Sequence, residues 1–238
     1  MPVGVIVNCL SVAFGGLAGA AFGGRLSAEL KEKLNLIFGI SSMGIGISAI
    51  VLMRNMPAVV LALILGTLIG VVCQLEQRIE RAGVAMRKLI PGAGSMDEAA
   101  SALLVTALVL FCSSGTGIYG AIISGMSGDH SILIAKSILD FFTAMIFACN
   151  LGAVTALVAV PQLIIFLCLF FCARLIFPLT TPDMINDFKA CGGLIMLATG
   201  FRIAKIKSFP IADMIPGMVL VWFISALWTG VINPLLGM

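Results

Sequence analysis

Charge is what this sequence has least of. Asp, Glu, Lys and Arg supply 11% of the 238 residues against 61% apolar. A soluble domain carries about 25% charged residues, so an ordinary water-soluble globule is excluded. The formal net charge of +3 is too small to argue for nucleic acid as a partner. His130 is the single histidine, which argues against a histidine-based metal site. The seven cysteines show no CxxC or Cys/His spacing and lie mostly in apolar runs, so they read as small core residues rather than bridges or ligands. Serine elbows and HExxH strings are missing, and Asp140 has no second carboxylate at its depth, which disfavours an intramembrane enzyme. No catalytic residue, metal or cofactor is expected.

What the chain has instead is long apolar runs. A spanning helix needs about 20 such residues. Eight candidates satisfy this: 3–22, 34–53, 57–75, 99–124, 131–149, 152–177, 190–206 and 213–236. The expected fold is all-α: a polytopic transmembrane helical bundle forming one integral membrane domain over 1–238. The break at 150–152 divides an apolar stretch from Phe141 to Phe177 that is too long for one span; read as a kink instead of a loop it gives seven spans.

Lysine and arginine set the orientation. Loops on one side carry ten (Arg25, Lys31, Lys33, Arg78, Arg81, Arg87, Lys88, Arg202, Lys205, Lys207) and the other side three (Arg54, Arg174, Lys189). Both termini are therefore expected outside the cytoplasm. The first span has no preceding Lys or Arg, against a secretory signal peptide. The basic, amphipathic stretch 76–98 reads as a helix on the cytoplasmic lipid surface, with partner docking as the other reading.

A faint repeat is present. A shift of 154 residues lays spans one to three on spans six to eight without a gap, pairing Gly39 with Gly193, Gly46 with Gly200, Glu29 with Asp183 and Ala58 with Ala212. The offset moves span two onto span seven, so the two triplets would cross the membrane in opposite senses, as transporter repeats do. Spans four and five would form the central insert.

Those two spans hold the unusual chemistry. Lys136 and Asp140 lie one helical turn apart in an otherwise apolar run. An ionisable group at mid-membrane costs about 2.5–3.5 kcal/mol on insertion scales and usually faces a protein interior or a watery cavity. One reading is a proton- or ion-coupling carboxylate with a lysine as charge partner. The other is a static pair that fixes helix rotation, in the weaker helical order for such a pair.

In span four, Ser113, Ser114 and Thr116 are interspersed with Gly115 and Gly117, followed by Tyr119, Gly120 and Gly125. Glycine weakens a helix interior by about 1 kcal/mol, and hydroxyls can bond freed backbone groups. A broken helix here would offer carbonyls and amides to a solute; close packing of an intact helix is the alternative. The string lacks the Gly-Lys-Ser/Thr of a phosphate loop. Gly15, Gly19 and Gly23, with Gly16, Ala20 and Gly24 alongside, read as helix packing, as do Gly39, Gly44, Gly46, Gly66 and Gly70, within the chain or between subunits. Asn8 in span one reads first as a helix–helix hydrogen bond and second as a ligand.

The run from Phe111 to Gly125, then Gly128-Asp129 and the run from Leu133 to Phe142, closely resembles the YqgA/YdfK-type family of bacterial inner-membrane proteins, most of all its YqgA branch. So do 65–70 with Glu76, and 178–182 before Gly192-Gly193. The resemblance covers nearly the whole chain. It implies an inner-membrane protein with a domain of unknown function, and it matches Gly120, Gly125, Lys136, Ser137 and Asp140 to that family's most recognisable motif.

The leading expectation is a small-solute or ion transporter or permease in the lipid bilayer. Its binding residues would be Lys136, Asp140, Ser113, Ser114, Gly115, Thr116, Gly117, Tyr119, Ser137 and Asn8. The alternatives are a passive channel and a non-transporting membrane scaffold or assembly factor. A homo-oligomer would relieve the narrowness of so short a chain.

Overall fold

The computed structural model of the chain describes residues 1–22, 27–88, 90–91, 96, 98–112 and 114–236, and every regular element among them is a helix. Ser113, Gly23, Gly24 and Arg25 lie outside the described residues. The chain divides into two compact units, 1–36 with 77–177 and 37–76 with 178–238.

The first unit holds α1 (Val3–Phe22), most of α4 (Leu75–Arg87), α5 (Glu98–Cys112), α6 (Gly115–Ser127), α7 (Ser131–Leu151), α8 (Val154–Leu157) and α9 (Ala159–Ile176). Small residues let its backbones touch. A methyl group at Gly15 or Gly19 would collide with the carbonyl of Phe141 or Met145, so α1 and α7 run side by side in the same direction. A methyl at Gly16 would lie 2.6 Å from the Ala156 amide. With Asn8 bonded to Gln162, that contact sets α1 antiparallel to the α8–α9 segment. Leu104, Leu108 and Phe111 of α5, Leu133 of α7, and Phe166 and Phe170 of α9 fill the core.

Local chemistry sets the helix ends here. Ser114 caps α6 by accepting from the Gly117 amide. Gly128 closes α6 with φ +71° and Gly152 closes α7 with φ +67°, backbone conformations that suit glycine. The 150–152 break is thus a true helix end.

The second unit holds the later part of α2 (Ala28–Ile50), α3 (Met56–Val72), α10 (Pro182–Ile203), α11 (Ile211–Met214), α12 (Pro216–Leu227), a π turn Trp228–Ile232 and α13 (Asn233–Leu236). α2 and α10 cross antiparallel through glycines. A methyl at Gly39 would stand 2.8 Å from the Gly200 carbonyl oxygen, and one at Gly46 2.7 Å from that of Gly193. Between them Ser42 Oγ donates to the Met196 carbonyl at 3.1 Å. α3 and α12 pack at Gly66 against Gly217, with the Leu63 backbone beside Gly217. These glycine rows serve contacts inside the chain. Gly44 has open space where a methyl would sit.

Apolar side chains also cover the outside. Ile6, Leu10, Phe14 and Leu17 on α1, Val60, Ile64 and Leu68 on α3, and Val219, Phe223 and Leu227 on α12 are exposed rows at helical spacing. Such rows suit lipid as the solvent. Among the described residues, six stretches can cross a membrane by length and composition: 3–22, 32–50, 103–127, 131–151, 154–179 and 211–235. A seventh passes when 56–72 is taken with 75–82.

Two sequence expectations change. The stretch 178–189, read as a loop, is helical from Pro182 onward, because Thr181 Oγ1 accepts from the Met184 amide, Pro182 occupies the first turn and Asp183 complements the helix dipole. The stretch 76–98, read as one surface helix, has its helix at 75–87 and then buries Ile90 in the core of the first unit.

Candidate functional site

Lys136 and Asp140 are 4% and 7% exposed, which takes both charges almost wholly out of solvent. On α7 their i, i+4 spacing brings Lys136 Nζ to 2.5 Å from Asp140 Oδ2. The same oxygen accepts from Asn8 Nδ2 of α1 at 2.9 Å. Asn8 Oδ1 in turn accepts from Gln162 Nε2 of α9 at 2.8 Å. Asn8 and Gln162 are fully buried.

The donor directions follow from the chemistry. An ionised carboxylate only accepts, so Asn8 must turn its NH2 to Asp140. Its carbonyl then faces Gln162, which must donate. That leaves Gln162 Oε1 at the end of the chain, buried and without a hydrogen-bond partner. Burying a polar group this way is costly.

The helix break adjoins this centre. A methyl at Gly117 would stand 2.8 Å from Ser114 Oγ and 3.0 Å from Lys136 Cε, and would collide with the Phe166 ring. The start of α6 therefore lies directly against the lysine stem, and a larger residue at 117 would have to displace the Phe166 ring. The Phe111 ring centroid lies 6.0 Å from Lys136 Nζ, on the edge of cation–π range.

Of the sequence candidates, Lys136, Asp140, Asn8, Ser114 and Gly117 gather here. Ser113 is outside the described residues, and Gly115 opens α6. Thr116 and Tyr119 are buried on α6. Ser137 Oγ donates to the Leu133 carbonyl of its own helix at 2.6 Å, so its hydroxyl is spent on the backbone. Gln162 was missed by sequence reasoning, being a neutral residue in an apolar span. The repeat offset identifies it, since Asn8 plus 154 is Gln162.

A second buried carboxylate lies in the other unit. Asp187 is fully buried. Its Oδ1 accepts from the Arg54 and Asn55 amides at 2.8 and 2.9 Å. Its Oδ2 accepts from Asn55 Nδ2 at 2.9 Å and Ser225 Oγ at 2.6 Å. Asn55 also meets Thr229 of the π turn and Asn233. Both oxygens are saturated by neutral donors, so Asp187 clamps the α2–α3 corner to α10 and α12. Sequence reasoning missed it because it fell in the presumed loop.

No group of three or more His, Cys, Asp or Glu able to hold a metal occurs among the described residues. Apolar spanning helices around a buried ion pair and amide chain define a helical membrane protein. Residues 3–226 match the family described as "Protein of unknown function (DUF554)", and the chain belongs to it. It is 48% identical over 231 residues to the "Uncharacterized protein YqgA" of Escherichia coli (strain K12), covering 96% of this chain and 98% of that one. It is 25% identical over 226 residues to the "Uncharacterized membrane protein YdfK" of Bacillus subtilis (strain 168), covering 91% and 93%. No solved structure matches.

Proposed function

We propose that the chain is a small-solute or ion transporter of the bacterial inner membrane, with Asp140 as its coupling carboxylate and Lys136 as the charge partner. One observation carries the reading: a buried ion pair, its lysine stem against the α6 start, bonded through Asn8 to a chain that ends on the unpartnered Gln162 Oε1. A pair serving only to fix helix rotation needs no such extension.

The reading includes eight spans, in two triplets of opposite sense around the 99–149 region, with both termini periplasmic. It draws support from the crossings. Asn8 meets Gln162 and Ser42 meets Met196, while the Leu63 backbone lies beside Gly217; each pair is separated by 154 residues. Gly39 meets Gly200 while Gly46 meets Gly193, so the partners exchange under the same offset, as a two-fold relation between repeats requires.

The test is flux in proteoliposomes, with imposed proton or sodium gradients and a panel of labelled amino acids, carboxylates and inorganic ions. Asp140→Asn is expected to abolish any flux shown by the wild type while keeping its folded, monodisperse profile. Undiminished flux by that variant ends the coupling role. Flux that needs no ion gradient makes the protein a channel.

A further inference from the structure

We infer that the species exchanged at this centre is a proton, not a metal cation, and that the Asn8–Gln162 chain reverses its hydrogen bonds when Asp140 takes it up. The inference rests on reading Asp140 as the coupling carboxylate. It names the ion and the element that responds to it.

The donor inventory disfavours a metal. A hard cation such as Ca²⁺ seeks about six or more oxygen ligands, and even the smaller Mg²⁺ demands an octahedron of them. Here one carboxylate oxygen already faces an ammonium and an amide NH2. Asn8 spends its carbonyl on Gln162. A proton needs only one oxygen.

The titratable groups around Asp140 are few. Lys136 faces it on its own helix, and Cys9 of α1 and Cys112 of α5 interact electrostatically with both. From α9 the neutral Gln162 meets Asn8, which in turn bonds Asp140. The step itself is simple. A hydronium ion gives its proton to Asp140 Oδ2: one O–H bond breaks on the hydronium, one forms on the carboxyl, and water remains. Lys136 keeps its protons, and the centre gains one positive charge.

The neutral carboxyl can then donate where the carboxylate could only accept. Its O–H points at Asn8, whose amide turns over to accept with Oδ1. Asn8 Nδ2 now points at Gln162, where the unpartnered Oε1 accepts it, and the Gln162 NH2 becomes the outer end. Protonation thus satisfies the vacant acceptor and converts the end of the chain from an acceptor to a donor. A solute touching Gln162 would meet opposite polarity in the two states.

Infrared difference spectra between acidic and neutral pH test this on the full chain in liposomes, with glutamine labelled by ¹³C at its side-chain carbonyl. Acidification is expected to raise a protonated-carboxyl band. In step with it, one glutamine carbonyl band should move to lower frequency as it gains a hydrogen bond. Asp140→Asn is expected to lose the carboxyl band and to show the glutamine carbonyl already shifted at neutral pH, because an amide at 140 can donate to Asn8. Gln162→Leu should lose the moving glutamine band and keep the carboxyl band. Surface carboxylates also protonate in acid, so the deciding signal is the glutamine shift, which the wild-type spectra read even if a variant does not fold. A carboxyl band with no glutamine movement overturns the reversal. Sodium-dependent carboxylate bands at fixed pH with no protonated-carboxyl band overturn the proton. Concerted bands with no flux of any solute support this inference and defeat the transport reading instead.

Discussion

Asn8 and Gln162 stand 154 residues apart in the chain and hydrogen-bond at 2.8 Å where α1 and α9 cross. The faint sequence offset thus coincides with a physical contact, and the contact delivers an amide to the buried acid. Each partner depends on the other, because both are fully buried.

Asn8→Leu removes a donor from Asp140 and strands the Gln162 NH2. A buried group left unpaired costs about 1–3 kcal/mol, and the variant should lose stability on that scale. Adding Gln162→Leu should recover about 0.6–1.7 kcal/mol, the coupling typical of polar pairs between membrane helices. A double-mutant cycle on unfolding in detergent checks it; additive losses would mean the two amides are uncoupled.

Removing one half of the ion pair should hurt more than removing both. Lys136→Ala leaves a buried carboxylate with no counter-charge, a loss of about 3–5 kcal/mol, whereas Lys136→Met with Asp140→Leu strands only the Asn8 NH2 and is expected to lose about 1–3 kcal/mol. Thermal unfolding of the three proteins reads the order directly. A double variant as unstable as the single one would mean the pair is needed for the fold itself.

The glycines should split into two groups. Gly66 and Gly70 of α3 meet the backbone of Gly217 and Asp213, and Gly46 of α2 meets that of Gly193. Alanine at any of them pushes helices apart, and loss of the monodisperse folded species is expected. Gly44 has nothing within 4 Å of an added methyl. Alanine there is expected to stabilise by up to about 1 kcal/mol through helix propensity. Size-exclusion profiles and melting temperatures distinguish the two groups.

Asp187→Ala should be the most damaging loss of a polar side chain in the second unit. It frees the Arg54 and Asn55 amides, the Asn55 side chain and the Ser225 hydroxyl at once. Bonds to a charged group contribute about 1.5–3 kcal/mol each, so a loss of several kcal/mol is expected, with early proteolysis near the 53–55 corner. Protease resistance equal to wild type would contradict the clamp.

Much of this was legible in the residues. Long apolar runs marked the helices, and the cost of buried charge singled out Lys136 and Asp140. Small-residue spacing marked close contacts, though not which helix each face would meet. Gly15 and Gly19 serve α7, while Gly39 and Gly46 serve α10. Two buried polar residues escaped for different reasons. Gln162 carries no charge, so hydropathy alone does not separate it from its span. Asp187 sits among Asp183, Lys189 and Asn186, a composition that mimics a loop. Its burial depends on partners more than 30 residues away, such as Asn55 and Ser225. Local composition carries no record of such partners.

Water access to Asp140 tests the central claim most directly. A water-soluble carbodiimide with a nucleophilic tag, applied to the protein in liposomes and read by mass spectrometry of the 131–151 peptide, should modify Asp140 and leave the Asp140→Asn protein unmodified there. Labelling confined to surface carboxylates such as Asp129 and Glu29, with Asp140 untouched from both sides of the membrane, would contradict it and leave a sealed structural pair.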